Sequence, residues 1–138
     1  MSSKNKHNKL HGSQLDRSDE RIKQTQEVFT PPELINKMIA EIPEKVLRNP
    51  NSKFIDNCAG DGNFLVELLK CLKKYHSEQH IVDNMLYSVE LMEDNHKDLC
   101  RRLNVPTDHS HYVCYNALEY HYRFDGTMGP ITIDQFFI

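Results

Sequence analysis

No stretch of this 138-residue chain is apolar for long enough to span a membrane, and no secretory leader precedes its cysteines. Cys58, Cys71, Cys100 and Cys114 form no Cys-x-x-Cys pair, so reduced thiols in a cytoplasm are the simplest reading. No internal repeat is present, and no Gly-Lys-Ser/Thr follows a glycine run, which argues against a nucleotide P-loop. Apolar residues are scarce, at 38%, and the mean hydropathy is −0.65. A polar tail diluting one folded domain accounts for both. Residues 1–13 are mostly Ser, Lys, Asn, His and Gly and are expected to be disordered. Residues 1–26 read as a basic polar tail that includes at most a solvated helix, and 27–138 as the domain. The tail carries six Lys or Arg against three Asp or Glu, so a chain of net charge −3 has a body of −6. Such a body is a poor duplex-DNA surface, because phosphate contacts dominate affinity. DNA binding would need the tail or a partner to supply the positive field.

The informative stretch is Phe54-Ile55-Asp56-Asn57-Cys58-Ala59-Gly60-Asp61-Gly62-Asn63-Phe64-Leu65. Phe54 and Ile55 read as the end of a buried strand. The short residues after them let the backbone turn sharply and approach a ligand. Phe64, Leu65, Leu68, Leu69 and Leu72 then follow helical spacing. A strand, a glycine turn and a helix place free backbone N–H groups beside a pocket. Asp56 and Asp61 make the turn acidic, which disfavours phosphate. A dinucleotide fingerprint lacks its third glycine, since Leu65 stands there. A cationic or amine-bearing ligand suits this turn, as the sulfonium and ammonium groups of S-adenosyl-L-methionine would.

Asp56 to Leu65 resembles the cofactor motif of N6-adenine DNA methyltransferases, especially the modification subunits of restriction systems. Val28-Phe29-Thr30-Pro31-Pro32-Glu33-Leu34 resembles the same family's N-terminal cofactor motif. Two motifs in the family's order are more specific than a lone glycine loop. The resemblance covers about residues 22–122. It implies an α/β, Rossmann-like S-adenosylmethionine-dependent methyltransferase fold, here with a truncated parallel sheet and flanking helices. It places Phe29, Thr30, Asp56, Asn57, Cys58, Ala59, Gly60, Gly62 and Phe64 around the cofactor.

Thr30 is expected to cap a helix, with Pro31 in the first turn and Glu33 closing a capping box. Phe29 and Leu34 would form a hydrophobic staple. Leu34, Ile35, Met38, Ile39 and Ile42 would make one apolar face, ended by Pro43. Residues 44–52 read as a loop or short helix. Strand one is about 53–57, and the second helix about 63–75. His76 and His80 have helix-face spacing without a third ligand, so they read as solvated and no metal is expected. Strand two is 85–90. Its terminal Glu90 stands where open-sheet nucleotide folds hold ribose hydroxyls, although a helix-start acid is the plainer alternative. By resemblance, Leu91 flanks the adenine ring. A helix over 93–103 turns Leu99, Cys100 and Leu103 inward. Strand three is about 111–115. Asn116-Ala117-Leu118 then resembles the family's Asp-Ala-Leu motif, with an amide oxygen in place of the acid.

The family's Asp/Asn/Ser-Pro-Pro-Tyr/Phe motif, which holds the flipped base, has no match after Asn116. Strand order 3-2-1 would leave strand one an open edge. Residues 131–137 have strand propensity and are expected to cover it, unless a partner does. The expectation is an adenine-N6 DNA methyltransferase, or its cofactor-binding part. The alternative is a non-catalytic S-adenosylmethionine-binding subunit acting with a protein partner. A third reading has Tyr120, His121 and Tyr122 lining a pocket for another methyl acceptor.

Overall fold

The computed structural model describes residues 30–57 and 59–130. Phe29, Cys58 and the expected edge strand at 131–137 lie outside them. The elements run α1 (Pro32–Ala40), α2 (Glu44–Arg48), β1 (Phe54–Asp56), α3 (Asn63–Leu72), α4 (Glu78–Asn84), β2 (Leu86–Glu90), α5 (Glu93–Leu103) and β3 (Tyr112–Cys114). The three strands are parallel, in the order β1-β2-β3. Phe54 pairs with Leu86, and Ser88 with Tyr112. This is the truncated Rossmann-like methyltransferase fold, α/β with helices beside a parallel sheet.

Side chains alternate across the central strand, so its two faces meet different cores. Leu86 and Tyr112 join one large cluster with residues of all five helices, among them Ile35, Leu47, Leu68, Ile81 and Leu99. Val89 and Val113 point the other way and are covered by Tyr120, with Tyr115, Ala117, Tyr122 and Phe124 around it. No helix of the described residues packs in that second cluster. The segment after β3 folds back instead and closes through a Tyr120–Pro130 bridge. Tyr120 and Tyr122 therefore serve packing, and Tyr120 is fully buried. β1 pairs only with β2 among the described residues, and Ile55 on it is 55% exposed.

Four local expectations are corrected. Pro31, not Thr30, is the N-cap of α1, with extended φ −68° and ψ 150°. The cause is Pro32, whose ring disfavours helical geometry at the residue before it. Pro31 has no side chain able to cap, so no capping box forms. The expected apolar face is narrower: Leu34 and Met38 are exposed, and only Ile35 and Ile39 of α1 are buried, while the staple with Phe29 lies outside the described residues. The second helix stops at Leu72, and a further helix, α4, follows it. His76 and His80 do not share a helix, and each is half-buried with a bonded ring. His76 Nε2 lies 2.8 Å from the Leu47 carbonyl and His80 Nε2 lies 2.9 Å from that of Pro50, so both pin the α2–β1 connection.

The base of the sheet holds a titratable cluster. His111 stacks on Tyr87 with ring centroids 4.0 Å apart, and its Nδ1 lies 3.1 Å from the Leu86 carbonyl. His109 Nε2 lies 2.8 Å from Asp83. Burial pushes the His111 pKa below its ordinary 6.5, against the opposing pull of the Leu86 carbonyl. The unfolded chain therefore takes up this proton first, and stability falls as pH drops below 6.5 towards the folded value. Urea denaturation between pH 8 and pH 5 should show this slope. His111→Gln should flatten it, and an unchanged slope in that variant would remove His111 as its source.

Candidate functional site

The carboxyl ends of all three strands meet at one edge of the sheet. In parallel α/β sheets this is the edge where ligands bind. The connection after β1 is drawn against β2 by two bonds. Ala59 N donates to the Val89 carbonyl at 3.4 Å, and Gly60 N donates to Glu90 Oε1 at 2.7 Å. Tyr115 N, just past β3, donates to the Glu90 carbonyl at 3.1 Å. Glu90 thus touches the segments following both neighbouring strands. Its other carboxylate oxygen accepts from Met92 N at 2.9 Å and from Asn95 Nδ2 at 3.3 Å. A carboxylate has about four acceptor positions, so three donors leave one open. The helix-start role and a ligand-binding role are compatible at this residue.

The turn is tight because its glycines adopt left-handed backbone. Gly60 has φ 56° and Gly62 has φ 92°. Gly62 is also the N-cap of α3. A Cβ there would come within 3.1 Å of Leu99 Cγ on α5, so the glycine is required by conformation and by close packing together. Gly62 N closes the turn onto the Ala59 carbonyl at 2.9 Å, and the Gly62 carbonyl accepts from Val66 N. The amides that open a helix have no partner within it, so those of α3 are offered at the turn.

The acidic character of the turn is not as the sequence suggests. Asp61 is buried, and Arg102 of α5 lies against it, with 3.4 Å between Nη1 and Oδ1. The same Nη1 donates to the Asp61 carbonyl and to Asn63 Oδ1, both at 2.9 Å. Burial lowers the Arg102 pKa, yet a guanidinium remains a cation. The Asp61 charge is spent inward, and Asp56 and Glu90 are left as the acids at this edge. Arg102 was missed because the periodicity reading follows apolar residues only. Its spacing was visible, since 95, 99 and 102 fall on one helical stripe.

The remaining expected site residues divide. Ala59 is buried and Gly60 half-buried in the turn, Asp56 is half-buried at the end of β1, and Asn57 is exposed. Phe64 packs against the main core. Leu91 is 62% exposed beside Glu90, an apolar side chain free to meet a ligand. Asn116 is half-buried, and its Oδ1 accepts from Leu118 N at 2.9 Å in an Asx turn. Ala117 belongs to the second core, and its carbonyl accepts from Tyr122 Oη at 2.8 Å. Among the described residues, Thr30 makes no hydrogen bond to the turn.

A cavity of about 500 Å³ lies elsewhere, between α1, α2 and the C-terminal part of α3. Of its lining residues Glu67 pairs with Lys70 and Glu44 with the neighbouring Arg48, and it brings together none of the strand ends. Cys100 is no candidate nucleophile: burial pushes its thiol up to about 12. No cluster of His, Cys, Asp and Glu able to hold a metal occurs among the described residues, and no described helix is long and apolar enough to cross a membrane.

The model of the family described as N-6 DNA methylase matches residues 16–111. The chain belongs to this N-6 DNA methylase family. No curated protein matches the chain. The matched range contains the whole glycine turn, Glu90 and α5, while Asn116 and Ala117 lie just beyond it.

Glu90→Ala should strip three donors of their acceptor and cost about 3 kcal/mol, the scale of one or two bonds to a charged group. Gly62→Ala should cost about 2 kcal/mol from left-handed strain and the Leu99 contact. Urea denaturation measures both. A loss below about 0.5 kcal/mol, the level of an ordinary surface change, would remove that residue from the support of the turn.

Proposed function

We propose that residues 27–138 form a cofactor-binding domain that holds S-adenosyl-L-methionine at the glycine turn and serves adenine-N6 methylation of DNA. The observation that carries this reading is the Gly60–Glu90 bond, which sets an acid of the second strand beside the turn of the first. The residues fit the cofactor's chemistry. Glu90 has acceptor capacity for ribose hydroxyls, and exposed Leu91 offers an apolar flank for a purine. Asn116 Oδ1 can accept a second hydrogen bond, from an exocyclic amine. The amides opening α3 suit a carboxylate, and Asp56 suits an ammonium. Asn57, Cys58, Ala59, Gly60, Gly62 and Phe64 would form the wall of the turn, with Phe29 and Thr30 over the methionine end. When bound, the cofactor supplies an activated methyl group on a sulfonium.

The group that holds and stacks the target base comes from outside residues 1–138 in this reading, from a protein partner or from further chain. The basic residues 1–26 offset the acidic body towards DNA. Three cysteines of the described residues are free thiols, consistent with a cytoplasmic protein. Calorimetry of the chain with S-adenosyl-L-methionine should show saturable one-to-one binding, and heat no greater than dilution would overturn the cofactor assignment. Labelled methyl transfer to adenine-rich DNA should be absent for residues 1–138 alone. Transfer should appear when a polypeptide carrying an Asn-Pro-Pro-Phe-like motif is added. Binding without transfer under both conditions would favour a non-catalytic cofactor-binding subunit.

A further inference from the structure

One stripe of α5 touches Glu90 and the turn at residues 61–63. Asn95 Nδ2 donates to Glu90 at 3.3 Å. Leu99, one turn on, fills the space that a Gly62 side chain would need. Arg102, a further turn on, bonds the Asp61 carbonyl and Asn63 Oδ1, each at 2.9 Å. The three residues are buried, and their spacing of four and three is that of a single helical face. None of these contacts requires a ligand.

We infer that Arg102 is a positioning residue for the cofactor turn, with Asn95 as its counterpart at Glu90. This rests on the cofactor reading above. The guanidinium turns the Asp61 carbonyl and the Asn63 side chain towards α5. The turn is in this way set before binding, and the cofactor meets a site that needs little reorganisation. Neutralising Asp61 is a separate service of the same side chain, and the two can be pulled apart.

The experiment compares wild type, Arg102→Lys, Arg102→Met and the double variant Asp61→Asn/Arg102→Met in the full chain. Each is tested for S-adenosyl-L-methionine affinity by calorimetry, for urea stability, and for hydrogen exchange at Gly60, Gly62 and Asn63. Arg102→Met leaves a buried carboxylate without its cation and is expected to lose stability. The double variant removes that charge and should regain stability. Its affinity should nevertheless stay about tenfold below wild type, the loss of one charge-assisted hydrogen bond. Arg102→Lys should fall between, because its shorter side chain keeps the charge but brings a more strongly hydrated ammonium short of the two acceptors that Nη1 meets. A double variant that regains affinity together with stability would overturn the inference, leaving Arg102 as a charge balance only. If wild type binds no cofactor, the functional reading fails, and exchange still decides the clamp. Faster exchange at Gly62 and Asn63 in the double variant, with Leu86 and Val89 unchanged, supports it. Unchanged exchange at the turn refutes it.

Discussion

The Gly60 amide donates to Glu90 at 2.7 Å, and the shape of the whole carboxyl edge depends on that one bond. β2 is the middle strand, so its last residue is flanked by the segments leaving β1 and β3. A carboxylate placed there is 8% exposed and must be compensated. Its donors come from the glycine turn, from the link into α5, and from α5 itself. Each donor belongs to a different piece of chain, so satisfying the charge also registers the three pieces against each other. A glutamine would keep one acceptor oxygen but turn an amine towards N–H groups. The acid is therefore explained by structure even before any ligand is considered.

The same logic applies to the buried Asp61–Arg102 pair. Such a pair is weak evidence for stability, because desolvation offsets its attraction. Its geometry is more informative than its energy. The guanidinium reaches a backbone carbonyl and a side-chain amide as well as the carboxylate, so it fixes direction along the turn. Leu99 adds close packing at position 62, 3.1 Å from where a Cβ would sit. The site is held from beneath by one helix, and its outer surface consists of backbone amides, Glu90 and Leu91.

How much of this was legible in the sequence follows from what each pattern can carry. The helix over 93–103 was readable to the residue, because its inward leucines and following turn are unambiguous. The strand, glycine turn and helix around residues 54–72 were readable because glycine spacing reflects backbone constraint, and Glu90 was readable as the acid that ends the second strand. The start of α1 was misread by one residue: a double proline looks like a helix opening, but the second ring bars the first from the helix. α4 went unseen because its two buried residues, Ile81 and Val82, are too few for a periodic signal. His76 and His80 looked solvated because a side chain bonding a distant carbonyl leaves no trace in local spacing. Arg102 was illegible for the related reason that a charged residue on an inward stripe is interpretable only once its partner is known.

The electrostatic argument for the ligand changes accordingly. An acidic turn read from sequence offered two aspartates to a cation. In the folded chain one of them is cancelled by Arg102, and what remains at the edge is Asp56 with Glu90. Glu90 is largely occupied by backbone donors, so it is better suited to accept hydroxyls than to attract a distant charge. The turn itself offers helix-opening amides, which favour a carboxylate. A ligand bearing an ammonium, a carboxylate and a hydroxylated sugar satisfies all three features at once. A simple cation would leave the amides unmatched, and a phosphate would meet two acids. Under the proposed function it is the mixed polarity of the edge, more than its acidity, that fits an amino-acid nucleoside.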